Sequence, residues 1–289
     1  MNTMAKIVEC VPNFSEGQRQ EVLEEIAKVI KSVEKVRLLA YESDKDHNRS
    51  VFTFIGEPEG VSKAAYNAIS KASELIDMNK HEGEHPRIGA TDVVPFIPIS
   101  DVSMDDCVEL AKALGQEVAE KLKVPIYLYE HAASRPERQN LANIRRGEYE
   151  GLKEAIIKDP NRKPDYGPSE LHPTAGATVI GARMPLIAYN VNLNCDDIDI
   201  AKSIAKAIRH SSGGLKYVKA LGLEIKERGI VQVSMNLTNY QKTPVHRVFE
   251  MIKSEAARYG VDILGSEVIG LIPMDALVDS ADFYLRIEN

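Results

Sequence analysis

The chain has 289 residues, 44% of them hydrophobic and 27% charged, enough to bury one large core or two modest ones. A net charge of -7 argues against non-specific binding to nucleic acid. Cys10, Cys107 and Cys195 are odd in number and far apart, which excludes a full disulfide framework, and no apolar run reaches the ~20 residues of a membrane span. No basic segment followed by an apolar run signals export, so the expected compartment is the cytoplasm.

In chain order, residues 7–11 read as a short buried strand. Ser15 and Gln18 have the form of a capping box before a helix with Val22, Ile26, Val29, Ile30 and Val33 at helical spacing. Residues 36–41 and 50–55 read as strands. Pro58 opens a second helix, with Val61, Ala64, Ala65, Ala68, Ile69 and Ala72 on one face. Residues 93–99 read as a strand whose Pro95 and Pro98 point to an edge or a bulge. Ser103 caps a third helix, and 126–129 is a strand. Residues 158–174, with four prolines, read as a linker or an ordered binding loop. Beyond them come a strand at 186–191, a helix at 198–208, strands at 217–225 and 230–235, a helix from Pro244 through Tyr259 and a strand at 261–269.

The order β-α-β-β-α-β thus occurs once on each side of the proline-rich stretch. The predicted class is α/β (α+β): two related ferredoxin-like subdomains, each an open sheet with helices on one face, and a ligand groove between them. The predicted boundary is at residue 180, giving 1–180, with the loop 158–175, and 181–289.

The densest chemistry lies in His81-Glu82-Gly83-Glu84-His85-Pro86-Arg87. An imidazole can take and return a proton near neutral pH, carboxylates can shift its pKa, and a guanidinium can hold an anion. His81 to His85 also matches H-E-x-x-H, the zinc-hydrolase pattern. That pattern needs a regular helix, and here Gly83 weakens the helix while Pro86 drives His85 out of the α region. A general acid/base loop is the expectation, with no metal.

Residues 11–17 end the first strand and open the first helix, whose free N–H groups suit an anion near Asn13; an ordinary turn is the alternative. Residues 42–49 join two strands and present Glu42, Asn48 and Arg49 either to solvent or to a ligand. Residues 176–183 form a small-residue run through which backbone can approach a flat ligand, ending in Arg183. Asn190 and Asn192 alternate on one strand face, reading as a polar ligand surface. Arg135, Arg138, Arg145 and Arg146 read as a solvated face or a dock for a polyanionic tail.

Several runs carry a resemblance. They are residues 8–17 (Val-Glu-Cys-Val-Pro-Asn-Phe-Ser-Glu-Gly), Gly83-Glu84-His85-Pro86-Arg87, 124–129 (Val-Pro-Ile-Tyr-Leu-Tyr), Tyr166-Gly167-Pro168-Ser169 and 176–183 (Gly-Ala-Thr-Val-Ile-Gly-Ala-Arg). In order and over nearly the whole chain they resemble the glutamate formiminotransferase family, in its free-standing form. The resemblance implies transfer of the formimino group from N-formimino-L-glutamate to N5 of tetrahydrofolate in histidine degradation. It implies tetrahydrofolate as co-substrate, a homodimer, His85 as the catalytic histidine, and a folate segment over Tyr166, Gly167, Pro168, Ser169, Glu170, Leu171, His172, Pro173, Thr174, Ala175 and Gly176. The family's second catalytic acid, an aspartate, falls at Glu42, and a tryptophan of its mammalian members falls at Ala175; both are departures.

The residues suit this chemistry. One imidazole can take the N5 proton and deliver it to the leaving nitrogen. The cationic formimino group calls for a carboxylate, Glu42 or Glu84. The dicarboxylate donor calls for arginines: Arg49, Arg87 and Arg183 are candidates. The expected partners are small molecules, without nucleic acid or membrane. Two readings compete: the same fold moving formyl from 5-formyltetrahydrofolate to glutamate, and a silent folate-binding module.

Overall fold

The computed structural model describes residues 5–83 and 85–287. The chain divides after Arg183 rather than at residue 180.

The first unit begins with β1 (Ile7–Cys10) and β2 (Asn13–Phe14), one strand position interrupted at Pro12. There follow α1 (Gln20–Lys31), β3 (Val36–Asp44), β4 (Arg49–Gly56), α2 (Pro58–Leu75) and β5 (Thr91–Ser100). β4 lies between β3 and β1/β2, and β5 lies on the far side of β1/β2, all antiparallel. This is the expected ferredoxin-like order. The alternation of β4 sets which face the helices cover: Phe52 and Phe54 are fully buried under the helices, while Val51, Thr53 and Ile55 face the other way.

α3 (Met104–Leu122) and β6 (Ile126–Glu130) then extend the plan. Next come α4 (Leu141–Ile144), α5 (Glu148–Lys158) and β7 (Thr178–Ala182). β7 inserts between β5 and β6, parallel to both. β5 is therefore an interior strand, not an edge, and its prolines are accommodated differently: Pro98 stands opposite Val8 beside a bulge, and Pro95 offers its carbonyl to Val11 N–H. Helices do not lie on one face only. α1, α2 and α3 cover one side, and residues of α4 and α5 (Ile144, Leu152, Ile156) pack with Tyr127, Tyr129, Val93 and Val179 on the other.

Ser103 caps α3 as read, reciprocally with Asp106. Ser15 does not cap α1. Its hydroxyl donates to Gly89 O at 2.7 Å, and Glu16 instead accepts from Gln18 and Arg19 N–H at 2.9 and 2.8 Å. Glu16 therefore holds the turn before α1, whose own N-cap, Arg19, has no side-chain cap hydrogen bond.

The proline-rich stretch is an ordered part of the first unit. Asp165 accepts from Leu128 N–H at 2.7 Å and pairs with buried Arg138 at 2.5 Å. Arg138 and Arg145 are thus inside ion pairs rather than on a solvated face. The small-residue run is β7 itself. A methyl at Gly181 would stand 2.4 Å from Tyr129 Cδ1 and O, so its smallness serves strand packing.

The second unit is β8 (Ile187–Leu193), α6 (Ile198–Ile208), β9 (Val218–Ile225), β10 (Ile230–Leu237), α7 (Val245–Arg258), β11 (Ile263–Ile269) and α8 (Met274–Leu285). Its antiparallel order β11-β8-β10-β9 repeats the ferredoxin-like plan. Val191, Val231, Val233, Ile204 and Val248 form its core.

Candidate functional site

Three segments of the first unit meet at one cleft. β2 and the residue after it bring Asn13, Phe14 and Ser15. The turn into β4 brings His47, Asn48 and Arg49. The loop into β5 brings His81, His85 and Arg87, with Asp92 at the strand start.

Asn48 ties the segments together. It takes a left-handed backbone at φ 45°, which Asn tolerates better than most residues. Its Oδ1 accepts from Gly17 N–H at 2.9 Å, and its Nδ2 donates to Glu82 O at 2.8 Å. Gly17 permits this approach, since a Cβ there would lie 2.1 Å from Asp44 O. His81 adds a further tie. Arg87 Nε donates to its Nδ1 at 3.2 Å, so Nε2 carries the proton toward Asn48 O at 2.9 Å. Both ring nitrogens are therefore engaged, and residues 81–83 and 85–87 form no helix. The H-E-x-x-H geometry is not built, and among the described residues no group of three His, Cys, Asp or Glu could hold a metal ion.

Arg87 is buried and clamped. Its Nη1 donates to Glu148 at 2.7 Å and to Glu150 at 3.0 Å, and its Nη2 to Glu150 at 2.7 Å. Its guanidinium is occupied by the first turn of α5. Arg49 differs: Nε and Nη2 donate to Asn13 Oδ1 at 2.9 and 2.5 Å. Arg145 pairs with buried Asp92, whose other oxygen accepts from Ile88 N–H at 3.0 Å.

His85 is half-buried, its ring centroid 6.5 Å from that of His47. Burial, followed by the positive charges of Arg49 and Arg145, pushes its pKa down to about 3. Its imidazole is neutral at physiological pH. Burial and then Arg145 also disfavour the charge on Arg49. His47 donates Nδ1–H to Asp44 at 2.9 Å, so Asp44 is the acid that orients it.

The other expected residues are distributed. Glu42 is exposed on β3, opposite Val51, which is itself opposite Asn13; it is not among the cleft-lining residues. Glu84 lies outside the described residues. Tyr166 and Gly167 pack against Gly115 and Ala119 of α3, while Pro168 is half-buried and Ser169 and Glu170 are exposed. The later part of this segment brackets the histidine loop. Asn79 donates to Pro173 O at 2.7 Å, Met78 N–H to Thr174 O at 2.8 Å and Ala90 N–H to Ala175 O at 2.9 Å. Leu171 packs on the core, the His172 Nδ1 accepts from Ala175 N–H at 3.0 Å, and Gly176 abuts Ile88 and Gly89. Arg183 stands at the opposite end of β7, near Glu9 and Tyr129.

Asn190 and Asn192 belong to the second unit. Asn192 donates to Glu267 at 2.9 Å and accepts from Gln232 at 2.8 Å, a closed polar network on its open sheet face. The sequence reading missed Asp92, Arg145, Glu148 and Glu150 as site residues. Asp92, close behind the histidine loop, was the one with a positional signal.

With this geometry in place, the comparisons are specific. The pattern of the formiminotransferase domain, N-terminal subdomain, matches residues 7–183, and that of the formiminotransferase domain matches residues 188–289. The chain belongs to the formiminotransferase family. It is 54% identical to a glutamate formimidoyltransferase of Streptococcus pyogenes, over 99% of this chain and 95% of that one. It is 52% identical to a glutamate formimidoyltransferase of Thermoplasma acidophilum, over 98% and 93%. A mouse formimidoyltransferase-cyclodeaminase is 47% identical over 99% of this chain and 54% of its own length.

Proposed function

We propose that this chain transfers the formimino group of N-formimino-L-glutamate to N5 of tetrahydrofolate, giving 5-formiminotetrahydrofolate and L-glutamate in histidine degradation. The observation that carries the reading is the neutral, half-buried His85 in a cation-rich cleft of a formiminotransferase fold. N5 attacks the formimino carbon with its lone pair, and His85 takes the N5 proton. The imidazolium then delivers that proton to the glutamate nitrogen, the C–N bond breaks, and glutamate leaves as the amine. For the negative charge toward the cationic formimino group the candidates are Glu84 and Glu42, the latter on β3 outside the cleft lining. Asn13, Asn48 and Arg49 shape the donor site, and Tyr166 to Gly176 binds the folate. No metal takes part.

The work is cytoplasmic, and no helix among the described residues is long and apolar enough to cross a membrane. A homodimer is supported by the apolar side of α8, where Met274, Leu277, Val278 and Leu285 share one face and are exposed.

The test mixes purified protein, tetrahydrofolate and N-formimino-L-glutamate without added metal. Formation of 5-formiminotetrahydrofolate is expected, with turnover lowered ~10²–10⁴-fold in His85→Ala and by less in Glu42→Gln. Absence of transfer by the wild-type protein refutes the reading, and transfer from 5-formyltetrahydrofolate to glutamate instead would replace it.

A further inference from the structure

Two guanidinium groups bear on His85: Arg49 lines the cleft, and Arg145, which is not among its lining residues, pairs with the lining residue Asp92. Among the described residues, Arg49 bonds only to the neutral oxygen of Asn13. Arg145 pairs with Asp92, and among the described residues its buried Nε has no hydrogen-bond partner. Arg145 disfavours the charge on Arg49, Asp92 and Asp44 favour it, and among the described residues Asp92 is the one carboxylate lining the cleft. Arg87, an obvious sequence candidate for gripping a carboxylate, is already held by Glu148 and Glu150. Half-buried cations without enough anions are costly in a free protein, and a bound anion relieves that cost.

We propose that Arg49 and Arg145 together bind the α-carboxylate of the formimino donor, with Asp92 holding Arg145 in place. This rests on the formimino-transfer reading above and assigns Arg145 as a specificity residue within it. The choice of carboxylate follows from the donor's covalent structure. Only a nitrogen and the α-carbon separate the α-carboxylate from the carbon that is transferred, so it must sit beside the acid/base group. The side-chain carboxylate and the glutamate tail of folate are both farther from the reacting atoms. A carboxylate between these arginines also offsets the charge that holds His85 so strongly neutral, so the donor itself raises the basicity of the imidazole that must accept the N5 proton.

The experiment compares two donors, N-formimino-L-glutamate and N-formimino-4-aminobutyrate, which lacks only the α-carboxylate. The wild-type protein is expected to prefer the first by ~10²-fold in kcat/KM, the scale of a charge-assisted pair in a partly desolvated site. In Arg145→Gln that preference should collapse below ~5-fold, mainly through the KM of the first donor, while the KM for tetrahydrofolate stays within ~3-fold. If Arg145→Gln fails to fold, Arg145→Lys, which keeps the charge but loses the planar fork, should cut the preference ~10-fold. A folded variant that keeps the wild-type preference overturns the proposal. So does one that slows both donors equally, which marks Arg145 as structural. A variant that raises the KM for tetrahydrofolate, and not that for tetrahydropteroate without its glutamate tail, reassigns the arginines to the folate tail. Absence of transfer by the wild type with both donors instead defeats the underlying reaction, a separate result.

Discussion

Replacing Arg87 by Met should cost far more than neutralising either of its partners. Arg87 is only 7% exposed, whereas the side chains of Glu148 and Glu150 are 42% and 63% exposed. Met keeps the buried apolar length of the arginine, so cavity formation is a minor contribution. The carboxylates, being near water, rehydrate rather than remain as buried orphans, which removes most of the 3–5 kcal/mol penalty seen when a fully buried pair is broken. What remains lost is a two-pronged charge-assisted pair with Glu150, a single one with Glu148 and the donor to His81 Nδ1. At ~1 kcal/mol for each such element the sum is about 3 kcal/mol, or a melting temperature lower by roughly 6–12 °C for a unit of this size. Glu150→Gln, which retains a hydrogen-bond acceptor at an exposed position, should cost less than about 1 kcal/mol. Loss of the His81 tie should also loosen the loop holding His85 and reduce kcat/KM ~10-fold or more, since small misplacements of catalytic groups are expensive. Thermal melts and initial rates on both variants check this. A Glu150→Gln variant as damaged as Arg87→Met would refute the argument, because the stabilisation would then reside in the carboxylate and not in the buried guanidinium. So would an Arg87→Met protein that melts with the wild type.

His85, observed by NMR of its ring protons, should stay neutral in the free protein at pH 5, because its pKa lies near 3 and not at 6.5. The sign for stability is that His85 contributes most above pH 6.5, and its contribution is lost as pH falls from there toward 3; titration near 6.5 in the free protein would contradict the burial and charge argument. Gly181→Ala should lose about 3 kcal/mol in a denaturant melt, because the new methyl meets both the ring and the backbone oxygen of Tyr129. A neutral outcome would mean that β6 and β7 can part without cost.

Much of the architecture is local in origin and was therefore legible. The alternation of Phe52 and Phe54 with Val51, Thr53 and Ile55, the alanine face of α2 and the Ser103 cap are all set by residues a few positions apart. The same holds for the failure of H-E-x-x-H, since Gly83 and Pro86 act on their own backbone. The reading went astray where a residue's role depends on a distant partner. Ser15 had the form of a cap, yet its hydroxyl is drawn to Gly89. Pro95 and Pro98 signalled an edge or a bulge; the irregularity beside Pro98 is there, but β5 is no edge, because β7 covers it from beyond the proline-rich segment.

The candidate site residues divide in the same way. The chain by itself placed His85, Arg49 and Asn48 in polar loops next to strands, because reactive side chains in a turn-forming context leave a local trace. It could not tell which arginine would be clamped by carboxylates and which would bond to a neutral amide. That was decided by α5 bringing Glu148 and Glu150 onto Arg87, and by Asp92 capturing Arg145, contacts that exist only once the sheet has closed around β7. Charge pairing is a property of distance in space, and sequence spacing carries no information about it beyond a few residues.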